Sequence, residues 1–194
     1  YMAGILNSIF LPFFSGSRLV LGERFGVATA LRFWDAPARY GVNVFWIVPT
    51  VVAMLLKLDR GHQGIDYARQ TKILACIGTA PLSPDHKQRF EEKYGIPLFE
   101  SYGLSETLFV STQSPYEARQ SACVGRPLDG INLRFDPDGE IWVSVPWMMQ
   151  GYANQDTAGY MDGSYYRSGD LGRVDDQGQL RITGPKKDLI IKGG

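Results

Sequence analysis

The chain has 194 residues, 44% hydrophobic and 21% charged, which suffices for one large or two small packed domains and excludes a disordered or fibrous chain. Its 20 Lys and Arg balance 20 Asp and Glu, so the totals give no basic face and argue against nucleic acid as a partner. Two cysteines, Cys76 and Cys123, are too few for a disulfide scaffold and read as reduced thiols of a cytoplasmic protein, while His62 and His86 lack metal-ligand spacing.

Along the chain, Tyr1 to Gly22 is apolar but broken by Asn7, Ser8, Pro12, Ser15 and Arg18, too interrupted for a membrane span of about 20 apolar residues and without the layout of a signal peptide. The missing initiator Met and the stop after Lys192-Gly193-Gly194 read as cuts through a longer protein. Ala3 to Phe14 predicts a buried helix, Arg18 to Leu21 a short strand and Thr29 to Tyr40 an amphipathic helix. The apolar run Val42 to Val48 predicts a strand covered on both faces, followed by a helix from Pro49 to about Leu58 and a strand over Lys72 to Ile77. Ser83, Pro84 and Asp85 open a helix that Gly95 ends, with Phe90 and Tyr94 on one face; Pro97 to Tyr102 predicts the next strand. Such alternation predicts a parallel-type sheet flanked by helices.

From about Ala122 the pattern changes. The turns Asp136-Pro137-Asp138-Gly139 and Asp175-Asp176-Gln177-Gly178 separate alternating strands at Glu140 to Val145 and Gln179 to Ile182, which predicts a small, distorted, antiparallel β-barrel. The expected organisation is an α/β subdomain over residues 1–120, a barrel-like one over 121–184, and a terminal segment over 185–194.

Four stretches carry candidate chemistry, each with a plainer reading beside it. Gly78-Thr79-Ala80-Pro81, at the carboxyl end of a predicted strand, is either a wall for a flat ligand or a simple turn. In Ser101-Tyr102-Gly103-Leu104-Ser105-Glu106, Tyr102 can stack on a base, Gly103 allows close passage, Ser105 can donate to phosphate, and Glu106 is a hard ligand suited to Mg²⁺. The plainer reading has Ser105 capping a helix. Asp170, in Tyr166-Arg167-Ser168-Gly169-Asp170, suits ribose hydroxyls or bonds its own backbone in a turn. Gly184-Pro185-Lys186-Lys187-Asp188 is a domain hinge or a solvated turn.

Together, in this order, these stretches and the Glu140-Ile141…Gly151-Tyr152-Ala153-Asn154 segment resemble the adenylate-forming superfamily: acyl- and aryl-CoA synthetases, peptide-synthetase adenylation domains and firefly luciferase. The resemblance covers essentially the whole chain and implies an internal piece of the large N-terminal domain, ending at the hinge. It implies that Gly78, Thr79, Ala80, Pro81, Ser101, Tyr102, Gly103 and Asp170 bind nucleotide, that Ser105 and Glu106 are catalytic with Glu106 on Mg²⁺, and that Lys187 is the hinge. Tyr1, Phe45, Trp46 and Phe109 would line an acyl pocket.

The implied enzyme is an acid–thiol ligase that converts an aryl or medium-length acyl acid to acyl-AMP with Mg·ATP, then to a thioester of CoA or of a carrier protein's phosphopantetheine. No acidic residue precedes Glu23, which disfavours an amino acid substrate. The same resemblance implies a cytoplasmic enzyme of fatty acid metabolism without a membrane span and leaves room for a homodimer. Two departures stand out. Pro185 replaces the usual hinge Arg, and Tyr1 falls where His is common. A phosphate loop upstream of Tyr1 and a catalytic lysine downstream of Gly194 are expected, so the 194 residues alone are expected to be inactive. The alternative is a non-catalytic nucleotide- or acyl-adenylate-binding module of the same fold.

Overall fold

The computed structural model describes residues 2–120, 122–154 and 156–186. Two compact units divide between Phe99 and Glu100.

The first unit begins with helical turns α1 (Met2–Ile5), a π-helical turn (Leu6–Phe10) and α2 (Leu11–Phe14). Helices α3 (Val27–Ala30) and α4 (Asp35–Tyr40) follow, then β1 (Val44–Ile47), α5 (Pro49–Leu58), α6 (Gln63–Gln70), β2 (Leu74–Ile77) and α7 (Pro84–Tyr94). Strands β1 and β2 pair in parallel, Val44 opposite Leu74 through Ile47 opposite Ile77, and β3 (Leu98–Leu104) starts beside β2. The sequence sets several ends. Pro49 and Pro84 sit in the first turns of α5 and α7, where no N–H is required. Gly41 and Gly95 end α4 and α7 in the left-handed conformation, at φ 67° and 68°.

Helices α5 and α7 cover the strands. Val51, Val52 and Leu55 of α5 and Phe90 and Tyr94 of α7 bury against Ile47, Ala75, Ile77 and Leu98. Trp34 joins the same core, and its indole leaves no room for a Cβ at Gly64 of α6. One polar node is threaded through this core: the Asp59 carboxylate accepts from Tyr94 Oη at 2.6 Å and Trp34 Nε1 at 3.2 Å.

Several expected elements differ. The stretch Ala3 to Phe14 is helical but interrupted by the π-helical turn, and it is not buried: Ile5, Ile9, Phe10, Leu11, Phe13 and Phe14 are exposed. Residues 18–21 form no strand, and Leu19, Val20 and Leu21 are exposed; apolar residues alone do not make a strand without a neighbour to pair with. The expected helix over Thr29 to Tyr40 is two short helices separated by turns. Pro37 explains the break, because it lacks the N–H and its ring clashes with a continuing upstream turn; α4 restarts with Pro37 in its first turn.

In the second unit β3 continues into a hairpin with β4 (Leu108–Thr112), and β5 (Arg126–Pro127) pairs with β4. A separate antiparallel sheet has the order β10-β9-β7-β6. Its members are β6 (Asn132–Phe135), β7 (Glu140–Ser144), β9 (Tyr165–Val174) and β10 (Leu180–Pro185), and the short β8 (Met161–Asp162) pairs with β9. The two expected turns close hairpins in this sheet, with Gly139 at φ 85° and Gly178 at φ 76°. Val110, Ile141, Val143, Val145 and Leu180 form a small apolar core. Among the described residues no helix is long and apolar enough to cross a membrane.

Candidate active site

In the first unit, Gly78 to Pro81 follow the carboxyl end of β2, as expected for a ligand-facing loop. Thr79 stands at φ 72°, a costly conformation for a β-branched residue and one that clusters at functional loops. The expected acyl-pocket residues Phe45 and Trp46 are neighbours on β1. Phe45 packs into the core, with ring centroids 5.8 Å from Phe33 and 5.9 Å from Trp34. Trp46, the next strand residue, projects from the opposite face. Tyr1 and the hinge Lys187 lie outside the described residues.

The second unit holds Ser101, Tyr102, Gly103, Ser105, Glu106, Phe109 and Asp170. Ser105 to Thr107 form the tight turn of the β3–β4 hairpin. No helix begins there, so capping is not the role of Ser105. Gly103 faces Phe109 across the ladder. A Cβ on Gly103 would overlap the Leu108 carbonyl oxygen, so its lack of a side chain serves the close approach of the two strands. Ser101 is buried and Ser105 exposed.

Tyr102 and Asp170 meet. The phenol donates to Asp170 Oδ2 at 2.8 Å across 68 positions of sequence, and the Tyr102 ring packs partly against the apolar core. Burial raises the Asp170 carboxyl above its ordinary range, and the Tyr102 bond offsets only part of that. Burial and the adjacent carboxylate push the Tyr102 phenol far up, so it stays a donor. Asp170 does not fold back on its own backbone in the manner of Asp175, whose carboxylate accepts from the N–H groups of Gln177 and Gln179 and from Arg181 Nε. The Asp170 N–H instead donates to Ser168 Oγ at 3.0 Å, and Ser168 Oγ donates to the Ile141 carbonyl at 2.6 Å.

Glu106 has a different environment. Tyr152 Oη donates to Glu106 Oε1 at 2.7 Å and lies 3.0 Å from Tyr166 Oη. The backbone of the same turn is held as well, by Met149 N–H on the Glu106 carbonyl at 3.0 Å and Trp147 Nε1 on the Thr107 carbonyl at 2.8 Å. No Lys or Arg pairs with Glu106 among the described residues. A half-buried carboxylate with a hydroxyl donor and no cation beside it fits Mg²⁺ held by one or two carboxylates together with nucleotide phosphates.

A second glutamate shows the opposite arrangement. Glu140 is 1% exposed, and it accepts from Arg167 Nε at 2.9 Å, Arg167 Nη2 at 2.8 Å and Lys186 Nζ at 2.6 Å. Burial alone would raise its carboxyl; the Arg167 and Lys186 bonds outweigh that and hold it below the usual range. Asp136 and Asp138 lie beside it, and Lys186 also pairs with Asp138 at 2.5 Å. Pro185, the departure from the hinge pattern, is the last residue of β10, in register with Asp170, and Lys186 N–H bonds the Gly169 carbonyl at 2.7 Å. The start of the fourth stretch is therefore bonded to the third. Neither Glu140 nor Tyr152 was legible as a partner in these networks, because nothing in local spacing marks a bond across tens of residues.

Residues 1–153 match the family of AMP-binding enzymes, and the chain belongs to that family. Sulfoacetate–CoA ligase of Cupriavidus necator is 30% identical over 211 residues, covering 100% of this chain and 39% of the relative. The crystal structure of ATP-bound MatB from Rhodopseudomonas palustris superposes with a TM-score of 0.84 at 25% identity, over 98% of this chain and 39% of that one. O-succinylbenzoate coenzyme A synthetase (MenE) from Bacillus subtilis, in complex with ATP and a magnesium ion, gives a TM-score of 0.73 at 26% identity, over 97% of this chain and 40% of that one. The chain thus spans about two fifths of the length of these relatives.

Proposed function

We propose that this chain is the part of an AMP-forming carboxylate–CoA ligase that holds the nucleotide. The observation that carries the reading is the Tyr102–Asp170 hydrogen bond, which joins an aromatic ring suited to adenine and a carboxylate suited to ribose hydroxyls. Membership in the AMP-binding family and the likeness to two ATP-bound structures support it.

In this reading Ser105, exposed on the hairpin turn, donates to phosphate, and Glu106 holds Mg²⁺ with the nucleotide's phosphates. The metal supplies charge neutralisation. The substrate carboxylate attacks the α-phosphorus, pyrophosphate leaves, and the thiol of CoA or of a carrier's phosphopantetheine then displaces AMP. The residues of this chain contribute mainly positioning. The acid is proposed to be aryl or medium-length acyl, with Phe109 beside Gly103 as the pocket residue in the second unit. A non-catalytic nucleotide-binding module is the second reading, favoured by Pro185 in place of a hinge guanidinium.

ATP–pyrophosphate exchange with a panel of aryl, acyl and α-amino acids tests the assignment in the full chain. Exchange dependent on an aryl or acyl acid is expected, with none from residues 1–194 alone. Nucleotide binding by the full chain without exchange for any acid overturns the ligase reading in favour of the module. Preference for α-amino acids overturns the substrate class.

A further inference from the structure

Two glutamates of the second unit are built in opposite ways. Glu140 spends its charge internally, on Arg167 and Lys186. Glu106 is gripped as firmly but by neutral groups. Its carbonyl accepts from Met149 N–H, the neighbouring Thr107 carbonyl accepts from Trp147 Nε1, and its carboxylate accepts from Tyr152 Oη. All three donors come from one loop, residues 147–152, folded over the hairpin turn.

Tyr152 is itself held. Its hydroxyl can give only one proton, and that proton goes to the carboxylate, the stronger acceptor. Tyr166 must then donate to Tyr152 across the 3.0 Å between their oxygens. Tyr166 is buried, and the Tyr152 ring is braced edge-on by Tyr160 at 6.0 Å between centroids. The two stretches are therefore stapled twice with matching spacing: Tyr102 to Asp170 directly, and Glu106, four residues beyond Tyr102, to Tyr166, four residues before Asp170, through Tyr152.

We propose that Tyr152, backed by Tyr166, is a positioning residue that fixes the Glu106 carboxylate for a divalent cation carried by the nucleotide. A cationic partner would orient Glu106 equally well but would cancel the charge that attracts the metal. A phenol orients it without bringing an opposing charge, the arrangement in which outer partners tune metal ligands. The inference rests on the nucleotide-binding reading above and deepens it.

The test is titration calorimetry of the full chain with ATP in excess Mg²⁺ and with ATP in EDTA. For the unaltered chain, tighter binding with Mg²⁺ is expected. Tyr152→Phe is expected to weaken Mg·ATP binding about 10-fold, the low end for loss of an outer metal partner, and to leave metal-free ATP binding unchanged. Tyr166→Phe is expected to act in the same direction and less, with its melting temperature as a check on folding. In a Glu106→Gln background, Tyr152→Phe is expected to add nothing to the Mg²⁺ dependence. Equal loss of both forms of ATP would show a merely structural role and overturn the inference, as would Mg·ATP binding by Tyr152→Phe at the unaltered affinity. An unaltered chain that binds no ATP would instead overturn the nucleotide-binding reading.

Discussion

The two units of this chain are stabilised in different ways. The first has a large core in which aromatic and aliphatic side chains of α5 and α7 close over parallel strands, with the single node at Asp59 as its main polar feature. The second has five buried apolar residues at its centre and is tied together by bonds among side chains: Tyr102–Asp170, Glu106–Tyr152–Tyr166, and Glu140 with Arg167 and Lys186. Apolar burial is non-directional and tolerates small displacement, whereas hydrogen-bonded networks fix atoms at set distances. The unit with the weaker apolar core is the one that has polar groups to place, and some of these bonds, such as those of Glu140, also add stability, whereas the buried Asp170 carboxylate is expected to cost stability at neutral pH for the sake of position.

The contrast can be tested from its strongest element downward. Phe90→Ala in the first unit removes a ring that is 2% exposed and is expected to cost about 3–5 kcal/mol. Urea denaturation measures it, and a loss well below 1 kcal/mol would mean the first core is not held by area. Next is Glu140→Gln in the second unit, expected to cost about 1.5–3 kcal/mol because a buried, charged acceptor of the Arg167 and Lys186 hydrogen bonds is lost. Its pH dependence has a definite sign. The carboxyl lies below its ordinary range when folded, so its contribution is present above about pH 4.3 and is lost as pH falls through the lower folded value. The variant is expected to lose that acid sensitivity, read from melts at stepped pH.

Asp170→Asn has the smallest expected effect on stability and the opposite sign. Asp170 is raised when folded, so its contribution is present below about pH 3.9 and is lost as pH rises through the higher folded value. At neutral pH the variant is expected to melt slightly above the parent while binding ATP more weakly. A variant that melts lower would show that the Tyr102–Asp170 bond is a net stabiliser, and the proposed separation of stability from function at this position would be wrong.

Much of the local structure was legible. Pro84 and Gly95 bracket α7 because one needs no N–H donor and the other tolerates a positive φ. Gly139 and Gly178 mark two hairpins for the same conformational reason. Proline also misled: Pro37 sits inside an amphipathic pattern and divides it. In the site, residue types pointed to Tyr102 and Asp170 as nucleotide groups, but their bond spans 68 positions, and the Tyr152–Glu106 bond spans 46. The environment of Ser105 was misjudged in its plainer reading because Leu108 adopts φ 53° and turns the chain into a hairpin.

The sequence by itself determined many of the helices, strands and turns, and which side chains have the chemistry to meet a nucleotide. Those properties follow from the backbone limits of Pro and Gly, from apolar periodicity and from functional groups. Only the tertiary structure decided that Asp170 faces a phenol, that Glu106 is held by hydroxyls and Glu140 by cations, and that Phe45 belongs to a core. The charge state and usefulness of a carboxylate depend on the partners folding brings to it, and those partners lie far away along the chain.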